Sequence, residues 1–316
     1  MHSPRWLLMA TALAACFATG AAAEPEVKTI RFVGVPSANS MVVWIARDQG
    51  FFKEEGIELR AQNDLAAGLV TDNILGGQAD MVYGGVTTML MPYSKGAPLV
   101  SIATTDSESV WELLVHQDSP YRALADLKGK TISVIAPNTS CVLSLRLAFE
   151  KNNWPKDFLK FTVVAPPDQV AAFGAKRVDG TCMFDPYRMQ IKNQLGGRGI
   201  WSIAEAPVGH NVTGNLIVHR DFADKNPNTV AAIQRAIDKA AAAANTNPEL
   251  VYAALAGALK QDIVVVRGVT LPKYSSPPSR PDDVREIADA LYRFGFVPAP
   301  IDVAGFDRSQ LAAGRK

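Results

Sequence analysis

Short apolar runs rich in β-branched residues alternate along the chain with longer segments whose apolar positions recur every three or four residues. The first series predicts strands at 29–34, 57–61, 79–83 and 99–104. Helices are predicted between them at 41–49, 69–75 and 87–93, two of them closed by Gly50 and by Gly76-Gly77. After Asp118-Ser119-Pro120 a second series predicts strands at 131–135, 161–165 and 180–184 and helices at 141–152 and 167–175. A further strand at 215–219 precedes helices at 227–245, 248–260 and 281–294, the first of which carries the alanine run 240–244. Alternation of this kind specifies an α/β fold with mostly parallel sheets. No Pro/Ser linker separates the two series, so the chain is expected to pass between two lobes on extended segments, leaving one lobe discontinuous. The segment 272–281, with four prolines and three serines, is the loop-rich insert.

Composition narrows the class without naming a chemistry. With 48% hydrophobic and 20% charged residues over 316 positions, the chain has a globular composition and ample core for two lobes. Its 32 Lys+Arg against 31 Asp+Glu give a formal charge of +1, which supplies no basic field for nucleic acid or for an anionic membrane surface.

Residues 1–23 read as an export signal. Arg5 forms a short positive region, an apolar run follows from Trp6, and Ala21-Ala22-Ala23 offers a small-residue cleavage site. Leu13-Ala14-Ala15-Cys16 also resembles a lipobox, so a lipid anchor on Cys16, with the signal ending at residue 15, is the alternative. Without residues 1–23 the chain loses Arg5 and balances at 31 basic against 31 acidic side chains. Beyond the leader no stretch reaches the roughly 18 apolar residues of a membrane span.

Cys141 and Cys182 are compatible both with a bridge, which an oxidising compartment permits, and with two buried thiols. Their spacing matches no zinc pattern, and His116, His210 and His219 are scattered, so neither a metal site nor a cofactor is expected.

Several segments, in order, resemble one family. Trp44-Ile45-Ala46-Arg47 leading to Gly50-Phe51-Phe52-Lys53-Glu54-Glu55-Gly56-Ile57 is similar to its opening motif, and Gly77-Gln78-Ala79-Asp80 to its G-x-x-D. Asp126-Leu127-Lys128-Gly129-Lys130 is similar to its lead-in to the second lobe. Arg177-Val178-Asp179-Gly180, Phe184-Asp185-Pro186-Tyr187, Phe222 to Pro227 and Phe294-Gly295-Phe296-Val297-Pro298 match later landmarks. Through these motifs the chain, from about 28 to 308, resembles the SsuA/THI5-like (NMT1-like) solute-binding proteins of ABC importers. That group includes sulfonate, taurine, nitrate and thiamine-precursor binders.

The resemblance implies a two-lobed type II periplasmic-binding fold with a hinge cleft. Lobe 1 would comprise 27–113 plus 215–316, and lobe 2 would comprise 114–214. It also implies a periplasmic, non-catalytic receptor that hands a small solute to an ABC permease powered by a separate ATPase subunit. Membrane contact would come only through that permease or a lipid on Cys16.

Ligand is expected where strands end and helices begin. Asn138, Thr139 and Ser140 open one such helix, whose free N–H groups and dipole can seat an anion without a lysine. Ser37, Asn39 and Ser40 hold the corresponding place near the start of the chain, with Met41 and Trp44 available to an apolar ligand body. Gly85, Thr87 and Thr88 form a third strand-to-helix turn, approached closely through the pair Gly84-Gly85. Asp185 can accept from a ligand amine or from a turn before Pro186, and Tyr187 can stack on ligand or seal the hinge. Asp64, Asp106, Glu108 and Trp111 are further candidates for the cleft; inward-facing acids among them would favour an amine-bearing solute.

Sulfonate or taurine-like solutes lead this reading, with thiamine-precursor pyrimidines and aromatic acids as alternatives. A sensory binding subunit would use the same fold. A THI5-like pyrimidine synthase would need a cysteine-rich iron motif, and the chain has neither that motif nor a P-loop, a Gly-x-Ser-x-Gly elbow or a His-Glu-x-x-His helix.

Overall fold

The computed structural model describes residues 23–63, 67–107, 111–207, 214–274 and 281–308. Residues 1–22 of the expected leader, Cys16 among them, together with Asp64, Glu108 and His210, lie outside them. Twelve strands occur among the described residues: β1 (Thr29–Gly34), β2 (Glu58–Asn63), β3 (Met81–Gly85), β4 (Leu99–Thr104), β5 (Asp106–Ser107), β6 (Trp111–His116), β7 (Thr131–Val134), β8 (Lys160–Val163), β9 (Gly180–Phe184), β10 (Gly197–Ser202), β11 (Gly214–His219) and β12 (Lys273–Tyr274). The helices are α1 (Met41–Asp48), α2 (Phe51–Glu54), α3 (Ala67–Leu75), α4 (Val86–Ser94), α5 (Ser140–Lys151), α6 (Pro166–Gly174), α7 (Tyr187–Leu195), α8 (Arg220–Lys225), α9 (Pro227–Thr246), α10 (Pro248–Leu259), α11 (Ile263–Val266) and α12 (Pro281–Arg293).

Two five-stranded sheets carry the two lobes, in the orders β2-β1-β3-β11-β4 and β10-β6-β9-β7-β8. Neither sheet is mostly parallel. In the first, β1 pairs parallel with β2 and β3, whereas β11 runs antiparallel to β3 and β4. In the second, β7 pairs parallel with β8 and β9, whereas β6 runs antiparallel to β9 and β10. The antiparallel members are the strands the chain enters immediately after crossing between sheets, β6 on the way out and β11 on the return. A strand entered directly from the opposite lobe has no crossover helix to reverse its direction, so it pairs antiparallel.

All of β6 belongs to the second sheet, so the outward crossing lies before Trp111 rather than after residue 113, and Gly214 already belongs to the first sheet. Among the elements that escape the periodicity, three do so for visible local reasons. In β10 the sequence Gly-Arg-Gly interrupts a half-exposed edge strand. The polar helix α7 buries only Tyr187, Arg188 and Ile191. In β6, Glu112 and His116 cut the apolar run to the three residues Leu113–Val115.

Each sheet packs its own core. Helix α9 lays a stripe of Ile233, Ala236, Ile237, Ala240 and Ala244 against α1 and the first sheet, which explains the alanine run: small side chains let the helices approach closely. In the second lobe Cys141, in the first turn of α5, is joined by a disulfide to Cys182 in β9, with Cα atoms 6.6 Å apart and both residues fully buried. Of the two possibilities open in the sequence, the structure takes the bridge.

Candidate ligand-binding site

A cavity of about 110 Å³ lies where the strand ends of the two sheets face each other. From the first lobe it receives Ser37 and Asn39. Ser37 N-caps the turn Ala38–Ser40 that leads into α1. It also receives Gly84, Gly85, Thr87, Thr88 and Met89 around the start of α4. Gly85 caps α4 with no side-chain hydrogen bond, so no N-cap side chain occupies the N–H groups of its first turn. From the second lobe come Thr139, the N-cap of α5, with Ser140, and Pro166 at the start of α6. Val35, Val70, Trp111, Ile135 and Phe184 make the walls apolar; the Trp111 and Phe184 rings lie 4.7 Å apart. No charged side chain lines this cavity among the described residues.

Tyr83 completes the lining. Burial pushes its hydroxyl well above the ordinary phenol range, and the neighbouring Asp106 and Tyr274 add to that against hydrogen bonds with Thr105 and Ser37. The phenol therefore stays a neutral donor. Asp106 is fully buried behind this wall, accepting from Asn39 Nδ2 at 3.0 Å and from Thr105 Oγ1 at 2.9 Å. It bears on the cavity through Asn39 and Tyr83, so this acid considered from the sequence is set one residue back from the cavity.

Gly214 makes room for the Tyr83 ring, because a Cβ there would stand 2.2 Å from Tyr83 Oη and 2.4 Å from Cε2. Gly214→Ala is accordingly expected to displace a hydrogen-bonded ring and to cost about 1–3 kcal/mol. Thermal unfolding of the variant checks this; an unchanged Tm would mean that the ring moves without resistance.

Other residues singled out in the sequence have different occupations. Ser40 is spent in the capping box: its N–H donates to Ser37 Oγ at 3.3 Å, and its hydroxyl accepts from Ser37 N at 3.1 Å and donates to Val35 O at 2.7 Å. Met41 is fully buried in the first core, as is Trp44, which packs edge-on against Phe32 at 5.2 Å. Asn138 reaches across the cleft, donating from Nδ2 to Thr87 O at 3.2 Å. Tyr187 packs edge-on against Phe184 within the second core instead of entering the cavity.

Asp185 is the clearest departure from a ligand role. Its Oδ1 accepts from Arg188 Nε at 3.0 Å and from Met189 N at 3.2 Å. Its Oδ2 accepts from Arg188 Nη2 at 2.8 Å and from Thr270 N at 2.7 Å. With four donors in place, the carboxylate has no capacity left for a ligand amine. Arg188 also donates to Glu112 Oε2 at 2.7 Å and to Thr270 Oγ1 at 2.6 Å, and Lys192 joins Glu112 at 2.9 Å. Thr270 belongs to the segment that follows the first sheet's last strand, so this network ties the lobes together. Burial raises the Glu112 carboxyl, but hydrogen bonds from Lys192 and Arg188 outweigh it and hold the group below the ordinary carboxylate value.

Tyr83, Val70, Ile135, Pro166 and Phe184 were not recognisable as lining residues from the sequence. The signal that finds them is positional: each lies at a strand end or on a helix at the cavity mouth.

Two sheets between which the chain passes twice, with helix N-termini converging on a cavity between them, define a two-lobed type II periplasmic-binding fold. The NMT1/THI5-like family model matches residues 37–250, and the chain belongs to that family. It is 26% identical to a provisionally named binding protein of Brucella abortus over 65% of this chain and 63% of that protein. It is 26% identical to the nitrate/nitrite binding protein NrtA of Nostoc over 69% of this chain and 54% of that one. The chain thus spans less than two thirds of the length of these relatives. The crystal structure of the periplasmic aliphatic sulphonate binding protein SsuA of Escherichia coli superposes with a TM-score of 0.74 at 20% identity, covering 88% of this chain and 91% of that one.

Proposed function

We propose that the protein is the periplasmic solute-binding component of an ABC importer. In this reading it captures a small sulfonate or taurine-like solute and delivers it to a permease coupled to a separate ATPase. It performs no catalysis itself. The observation that carries this reading is the uncharged, hydroxyl-lined cavity on which the starts of α4 and α5 converge. An oxyanion entering an apolar enclosure must regain the hydrogen bonds it had in water. First-turn N–H groups of α4, with Thr87, Thr139 and Ser140, supply donors, whereas Thr88 Oγ1 already donates to Gly85 O at 2.8 Å and Ser37 Oγ to Ser40 Oγ at 3.3 Å. The helix dipoles supply positive potential without a lysine or arginine. Trp111, Phe184, Val70 and Met89 suit the short apolar body of such a solute. The names of relatives that bind sulfonates and nitrate support an oxyanion head group. Export by the leader and a periplasmic site of action belong to the same reading.

A thermal-shift panel of taurine, ethanesulfonate, nitrate, an aminopyrimidine and benzoate tests it. A solute present at 100 times its Kd is expected to add about 2.7 kcal/mol, or roughly 5–10 °C in Tm. A shift with an aminopyrimidine or benzoate and with neither sulfonate would replace the sulfonate assignment by one of those classes.

A further inference from the structure

One buried polar side chain beside the cavity is left without a role. Asn215, in β11, is fully buried, and neither Nδ2 nor Oδ1 has a hydrogen-bond partner. Buried amides are rarely left unpaired at both atoms, and such exceptions often mark a functional position. The register sets Asn215 directly opposite Gly84 of β3, one residue inside the Gly214–Gly85 pair at the cavity rim. Residues directly opposed across antiparallel strands project from the same face of the sheet, with closely spaced side chains. Gly84 lines the cavity and has no side chain of its own; the space above it is filled by Met89, whose Cε would lie 2.4 Å from a Cβ at that position. Met89 also lines the cavity, and its sulfur accepts a long contact from Thr71 Oγ1 at 3.8 Å. An unbranched thioether with three rotatable bonds thus covers the face on which the unpaired amide stands.

We propose that Asn215 is a specificity-determining residue in a deeper part of the ligand site, uncovered when the Met89 side chain turns away from Gly84. A carboxamide presents one acceptor and two donor hydrogens side by side. Its complement is a solute group with an adjacent N–H and C=O, such as an amide or ureide. The proposal rests on the oxyanion reading above: the charged head sits at the starts of α4 and α5, and the amide-type group points toward Asn215. A solute lacking that group leaves the side chain unpaired, which is how a polar site rejects close analogues.

The test uses isothermal titration of the full chain with ethanesulfonate and with sulfoacetamide, which carries a primary amide on the same kind of short sulfonate. The wild type is expected to bind sulfoacetamide at least about tenfold more tightly. In Asn215→Leu that preference is expected to disappear, while the ligand-free Tm stays level or rises, because no paired group is lost. Asn215→Ala makes the same comparison if leucine prevents folding. Equal affinities in the wild type would overturn the proposal and leave the oxyanion reading standing. A preference that survives in the variant, with a fallen ligand-free Tm, would assign Asn215 to the fold and also overturn it. Binding of neither sulfonate to the wild type would remove the sulfonate reading and this proposal with it.

Discussion

Arg188→Leu is expected to destabilise the protein by about 3–5 kcal/mol, the usual cost of removing one partner from a buried ion pair. The arginine side chain is 5% exposed and Asp185 2%, so the carboxylate left behind could not be rehydrated in place. Burial alone would discourage the guanidinium charge, yet the bonds to Asp185 and Glu112 favour it strongly. The loss should appear in denaturant unfolding as a lower midpoint. It should also appear as a more open ligand-free particle in solution scattering, because the bond from Arg188 Nη2 to Thr270 Oγ1 is lost at the same time and only the Thr270 N–H to Asp185 bond still ties that segment to Asp185. The double variant Asp185→Asn, Arg188→Leu should recover part of the stability, since no unpaired charge then remains. A loss below about 1 kcal/mol in the single variant would indicate that the pair is solvated.

The network also has a pH signature. Because the folded Glu112 carboxyl lies below its ordinary value of 4.5, its contribution is fully present above that value. It is lost as pH falls through the lower, folded value. The acid limb of the stability curve should therefore be shallower in Arg188→Leu than in the wild type.

Loss of the Cys141–Cys182 bridge is the other large effect. The bridge closes a loop of 41 residues, and the chain-entropy relation gives about 4 kcal/mol for a loop of that size. The paired variant Cys141→Ser, Cys182→Ser, or the reduced protein, is expected to lose most of that stability, read as a fall in the denaturant midpoint. A second consequence follows from position. Cys141 adjoins Thr139 and Ser140, and Cys182 lies two residues before Phe184, so the bridge fixes two cavity walls relative to each other. Reduction should therefore weaken solute binding as well. Identical unfolding midpoints for oxidised and reduced protein would show that the bridge adds nothing.

The parts of this molecule visible in the sequence are those set by local periodicity and local turn chemistry. The strand 99–104 and the helix from Pro227 show their character within a short window: a continuous apolar run in one, alanine with recurring aliphatics in the other. Strand-to-helix turns at Ser37, Gly85 and Thr139 are visible for the same reason, because a capping residue and a glycine pair are short-range signals. Ser40 shows the limit of that reasoning. A hydroxyl at a helix start looks the same whether it faces a ligand or closes a capping box, and only the turn's own geometry separates the two. Asp185 is a sharper case. Its four donors come from the helix that follows it and from Thr270, which is 85 positions away.

By itself, the sequence determined the α/β alternation, the two series of elements, and the family, whose motifs survive as an ordered set of short segments. Its near-neutral charge, 32 basic against 31 acidic side chains, also offers no overall basic field for an anionic solute. Tertiary structure alone decided that β6 and β11 run against their neighbours, that the cysteines pair, and that Asp185 locks the lobes. It also decided that Tyr83 and Met89 face the cavity and that Asn215 stands unpaired beneath it. The physical reason is range. Backbone periodicity and capping depend on residues a few positions apart, whereas pairing direction, ion-pair choice and burial depend on which distant segments share a face.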